Sequence, residues 1–103
     1  MSKIEINTQN LFERVQEALE LTNMRLDKIK YFPDDLTEKR DLRIAREALE
    51  LIFNELSGRV NMRPKGSRSS GFTRYVLDEE SNLKIDPNLR DLIVRIESVY
   101  QKY

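Results

Sequence analysis

The chain has 103 residues, 39% of them hydrophobic, 35% charged and 8% aromatic, and its 18 basic and 18 acidic side chains cancel. That length suits one domain with a modest core, and zero net charge leaves no overall field to draw the chain to nucleic acid or to an anionic membrane. With no Cys and no His, disulfides, thiol nucleophiles and thiolate metal sites are excluded, together with the commonest general base and the commonest transition-metal ligand.

In chain order, Ile4 and Ile6 flank Glu5 in a brief alternating stretch that is at most an edge strand. Asn7, Thr8 and Asn10 offer N-cap side chains, and Asn10 with Glu13 has the spacing of a capping box. Phe12, Val15, Leu19, Thr22, Leu26 and Ile29 then follow an unbroken 3-4-3-4 spacing. The first helix is expected over 8–31, ended by Pro33, because the residue before a proline resists the α conformation. Asp35 and Glu38 repeat the capping-box spacing, and Leu42, Ala45, Leu49, Ile52 and Leu56 carry a second helix over 36–60, with Gly58 as its terminating glycine.

Residues 61–71 hold two Gly, one Pro and three Ser, which reads as a flexible loop. Phe72–Leu77 and Leu83–Ile85 read as two short strands about the turn 78–82, giving an expected β-hairpin over 72–85. Asp86–Pro87 is an N-cap acid followed by proline at the first helical position, and Leu89, Leu92, Ile96, Val99 and Tyr103 carry a C-terminal helix over 87–102. The expected fold is mainly α: a single domain, 1–103, with an antiparallel helical hairpin, a C-terminal helix that completes a three-helix bundle-like packing, and a small β-hairpin between the second and third helices.

The two long helices echo one another at an offset of thirty, Gln16–Leu21 returning as Arg46–Leu51. Glu, Ala and Leu are strong helix formers, so the echo does not require a duplication. The matched seams stand either way. At ~1.5 Å per residue the hairpin helices are each roughly 35 Å long and the C-terminal one about 25 Å, too short to cover the hairpin. Behind the seam lies a second apolar set: Leu21, Met24 and Tyr31 on the first helix, Ile44 and Leu51 on the second. These five residues are the candidate partner-binding surface.

The one asymmetric stretch of charge is the loop, where Arg59, Arg63, Lys65, Arg68 and Arg74 stand with no acid between Leu56 and Leu77. Guanidinium groups and exposed amides suit phosphates, and nearby Phe72 and Tyr75 could stack on unpaired bases. The plainer reading is a solubilising loop that answers the acids of the second helix and of 78–80. Ser67, Ser69 and Ser70 lie in a basic context that a kinase could use, though the spacing is common. Gly66 and Gly71 lack the P-loop spacing.

Among the acids, Asp34–Asp35 are explained by helix capping and Glu79–Glu80 by a solvated turn. The best enzyme case is an arginine-lined pocket drawn from Arg14, Arg25, Arg43, Arg46, Arg90 and Arg95 that stabilises an anionic transition state, and ordinary surface pairing accounts for the same residues. The expected function is non-catalytic: an adaptor, inhibitor or regulator that forms a homodimer or binds a protein partner through its apolar back face. The alternative is a nucleic-acid-binding accessory protein that uses 59–74 as a phosphate-contacting arm. No cofactor, metal or membrane partner is expected. No apolar run approaches the roughly 18 residues of a membrane span and Met1–Ile6 lacks the apolar core of a secretory signal, so the expected location is cytoplasmic.

Overall fold

The seams found in sequence close on one another through apolar side chains. The computed structural model describes residues 5–31, 36–68, 71–78 and 83–103. In it α1 spans Leu11–Ile29, α2 Leu36–Leu56, α3 Gly71–Asp78 and α4 Pro87–Lys102, with a 3₁₀ turn at Lys65–Ser67. The α1–α2 pair is antiparallel. Phe12 stacks on Phe53 with ring centroids 5.2 Å apart, and Arg25 near the other end of α1 pairs with Glu38 near the start of α2. No described helix is long and apolar enough to cross a membrane.

The core runs through Leu11, Val15, Ala18 and Ile29 of α1, Leu42, Ala45, Leu49 and Ile52 of α2, and Ile93, Ile96 and Tyr100 of α4. Thr22 is fully buried in the same line, and it tolerates burial because its hydroxyl donates to the carbonyl of Ala18 at 2.7 Å. On α1 the buried line is 11-15-18-22-29, whereas Phe12, Leu19 and Leu26 are only half-buried. The centre of burial is thus rotated from the expected stripe, because α1 packs against two helices: α2 on the side of Phe12 and α4 on the other.

Several chain ends follow the expected chemistry. Gly58 has φ +81°, and the amides of Gly58 and Arg59 donate to the carbonyls of Glu55 and Asn54, the paired bonds that close a helix with a left-handed glycine. Asp86 accepts from the amide of Leu89 at 3.1 Å, with Pro87 next in the chain. The start of α1 is different. Asn10 does not cap the helix through its side chain; its Oδ1 accepts from the amide of Asn7 while Asn7 Oδ1 accepts from the amides of Gln9 and Asn10. This reciprocal Asn pair takes the place of the expected Asn10–Glu13 box. Asp34, Asp35 and Pro33, the expected turn, lie outside the described residues, as does Ile4; Ile6 is buried in the core and belongs to no strand.

Among the described residues the expected β-hairpin over 72–85 is not present. Residues 71–78 form α3, 83–85 are irregular, and 79–82 lie outside the described residues. Phe, Thr, Tyr and Val favour strands by composition, but Phe72 is buried with Tyr75 and Val76 on its flank, the i, i+3, i+4 spacing of a helix. What decides the matter is a tertiary contact: Glu97 of α4 accepts from the amides of Phe72 and Thr73, which are orphan donors at a helix start.

Candidate functional site

Three carboxylates, Asp41, Glu55 and Glu97, are buried at the flank of α2 and α4 that faces the 57–86 connector. Each takes partners from that connector, and Arg40 of α2 adds to those of Asp41 and Tyr100 of α4 to those of Glu55. Asp41 accepts from the hydroxyl of Tyr75 at 2.5 Å and from the amide of Lys84 at 2.8 Å. Glu55 accepts from the Arg63 amide at 2.8 Å and from its guanidinium at 2.7 and 3.0 Å. Glu97 adds the Thr73 hydroxyl, at 2.6 Å, to the two α3 amides.

Burial alone would raise the Glu55 carboxyl; the hydrogen bonds from Arg63 outweigh it and hold the group at about 2 against an ordinary 4.5. Burial raises the Tyr100 and Tyr75 hydroxyls above their ordinary value of 10, and a neighbouring carboxylate, Glu55 or Asp41, pushes each the same way. These acids are saturated with donors. Their chemistry is that of clamps.

The basic loop is divided by the same contacts. Arg63 is bound to Glu55 and lies over the Tyr100 ring at 5.6 Å. Arg68 donates to the carbonyls of Arg63 and Tyr100, both at 2.9 Å, and its guanidinium sits 5.0 Å from the Tyr100 ring. Arg59, Lys65 and Arg74 are exposed, with Arg59 over Phe53 at 5.5 Å. Of the five candidate phosphate contacts, two therefore work inside the fold as ties to α2 and α4. Ser67 is exposed, whereas Ser69 and Ser70 lie outside the described residues.

The apolar back face is divided too. Leu21 is 43% exposed and lies in a groove of about 480 Å³ formed with Leu42, Leu89 and Leu92, where α4 crosses α1. Leu51, also 43% exposed, and half-buried Ile44 lie in a separate groove of about 240 Å³ beside Phe72 at the start of α3. Met24 and Tyr31, 53% and 80% exposed, line neither. The rotation of the α1 core line explains the split: at about 100° per residue Leu21 falls on the α4 flank of the helix, with Met24 and Tyr31 behind it.

The larger groove has a definite charge order. Along α1 its wall reads Glu17, Leu21, Arg25, one turn apart at each step, and Asp86 and Arg95 stand on the α4 side. Glu17 is held by Arg14 at 2.6 Å, and Arg25 makes a two-point contact with Glu38. The rim charges are thus positioned before anything docks.

Comparison with protein-family models, with curated proteins and with solved structures gives no match. Sequence reasoning missed the three clamps. One signal was available: Glu97 lies in phase with Ile93, Ile96 and Tyr100, and Glu55 with Ile52, so each acid stands in an apolar line where a solvated charge has no place.

Proposed function

We propose that this protein is a non-catalytic interaction module whose α1–α4 groove receives a second copy of the same chain. The observation that carries the reading is the order Glu17–Leu21–Arg25 on the wall of the larger of the two apolar grooves. Two α1 helices laid antiparallel across a twofold axis at Leu21 bring each Glu17 to the partner copy's Arg25, with the leucines at the centre. Such a surface is complementary to itself, as a twofold interface requires. The apolar centre supplies affinity and the charges supply register. In this reading the dimer is the form in which an adaptor or regulator would act.

Light scattering coupled to size-exclusion chromatography, run from low to high micromolar protein, tests it. Dimer is expected for the wild type and monomer for Leu21→Glu. Glu17→Arg or Arg25→Glu alone should weaken the dimer, and the two together should restore it. Leu51→Glu should leave it intact; if that change rather than Leu21→Glu gives a monomer, the contact belongs to the α2–α3 groove. A wild-type monomer at every concentration removes the proposal. The nucleic-acid arm draws less support, because Arg63 and Arg68 are engaged within the fold and Arg59, Lys65 and Arg74 remain to contact phosphates.

A further inference from the structure

Charge is concentrated at another place in the molecule, outside both the basic loop and the α1–α4 groove. Where the end of α1 meets the first half of α2, a cleft of about 320 Å³ is lined by Lys30, Lys39, Arg43 and Arg46, with Asp27 as the one acid among its described lining residues and Asn23 as an amide donor. Among the described residues, four cations and one carboxylate line it in a chain whose net charge is zero.

The groups are held in place. Lys39 is buried along its length and its ammonium donates to the Lys30 carbonyl at 3.2 Å. Lys30 bridges Asp27 at 2.9 Å. Arg46 donates to Asn23 Oδ1 at 3.5 Å and lies 3.8 Å from Glu50, while Arg43 is exposed beside it. Helix-end electrostatics account for Lys30 and Lys39, which sit at the negative C-terminus of α1. They do not reach Arg43 and Arg46, which extend the positive lining one and two turns further along α2, where Glu50 answers Arg46 in part. Like charges at helical spacing are mildly destabilising by themselves, and a bound anion relieves that repulsion. Arginine forks also match phosphate oxygens in a way that a diffuse ion cloud does not require.

We propose that the α1–α2 cleft binds a small polyphosphate anion of the pyrophosphate class, with Arg43 and Arg46 contacting the phosphate oxygens and Lys30 and Lys39 supplying the remaining positive charge. The volume is of the order of small-ligand sites, which begin near roughly 300 Å³. The cleft is separate from the proposed dimer surface, since it shares no lining residue with the α1–α4 groove.

Calorimetric titration of the full chain with pyrophosphate, at low and physiological salt, is the test. Binding is expected that weakens with salt, and the Arg43→Gln/Arg46→Gln double variant should bind at least about tenfold more weakly while keeping the wild-type helical signal and melting temperature. Asp27→Asn, which removes the acid that lines the cleft, should tighten binding a few-fold, and this second variant decides the matter if the double variant does not fold. Absence of pyrophosphate binding at low salt overturns the proposal. So does binding that neither variant changes, which would mark a general ion atmosphere. If a single-stranded oligonucleotide binds through Arg43 and Arg46 and pyrophosphate does not, the cleft is a nucleic-acid contact and the small-ligand assignment is wrong.

Discussion

In the α1–α2 hairpin the helices meet through apolar side chains whose order is periodic in the chain, whereas the connector from Ser57 to Asp86 is fixed to the same hairpin and to α4 by Asp41, Glu55 and Glu97. Apolar burial is non-directional and grows with area, so many residues share it and local errors average out. A buried carboxylate works differently. It satisfies particular amides and hydroxyls, and it is favourable only while all its partners are present. The hairpin should therefore respond to damage as one cooperative unit, and the connector should fail segment by segment.

The sharpest way to break this contrast is a pair of truncations. Leu49→Ala removes a fully buried side chain from the centre of the hairpin and should cost about 2–5 kcal/mol, with amide exchange accelerating throughout α1, α2 and α4. Glu97→Ala leaves the amides of Phe72 and Thr73 without their acceptor, at about 1–3 kcal/mol for each donor that stays buried. Its effect on hydrogen exchange should concentrate in 71–78. Equal acceleration in α1 and α2 would show that the connector is part of the cooperative core.

Acid titration sharpens the comparison at Glu55. Its carboxyl titrates at about 2 in the folded chain against 4.5 unfolded, so the group stabilises the fold above 4.5 and loses that stabilisation as pH falls toward 2. The full effect is roughly 3 kcal/mol. Urea unfolding from neutral pH down to about pH 3 should show a decline that Glu55→Gln flattens. An unchanged slope in that variant would mean that other carboxylates carry the acid sensitivity.

The smallest expected effect lies at the joint between the two regions. Gly58 holds φ +81° and a Cβ built there meets nothing within 4 Å, so Gly58→Ala carries a backbone cost alone, about 1 kcal/mol. A thermal melt would read it as a shift of a few degrees with no loss of cooperativity.

Legibility in the sequence follows the same divide. α2 and α4 begin at the expected residues, Leu36 and Pro87, because an apolar seam, a proline and a capping acid are local signals. The glycine that ends α2 was legible for the same reason. α3 was misread as a strand because its side chains favour strands by composition, and its helical start depends on Glu97, twenty-five residues from Phe72 in the chain. The split of the candidate partner surface was hidden as well. Leu21 and Leu51 repeat in phase along the chain, yet α4 lies beside one and α3 beside the other. Arg63 and Arg68 looked like free loop cations until Glu55 and the last turn of α4 were brought to them.

By itself, the sequence determined that this is a helical chain with two long matched helices and a third begun by Asp86–Pro87, since periodicity and end chemistry act within a few residues. Only the tertiary structure decided which acids are buried, which arginines are ties, and which leucines line a groove. Those outcomes depend on what lies across the core from each side chain, and packing brings together residues that no local spacing relates.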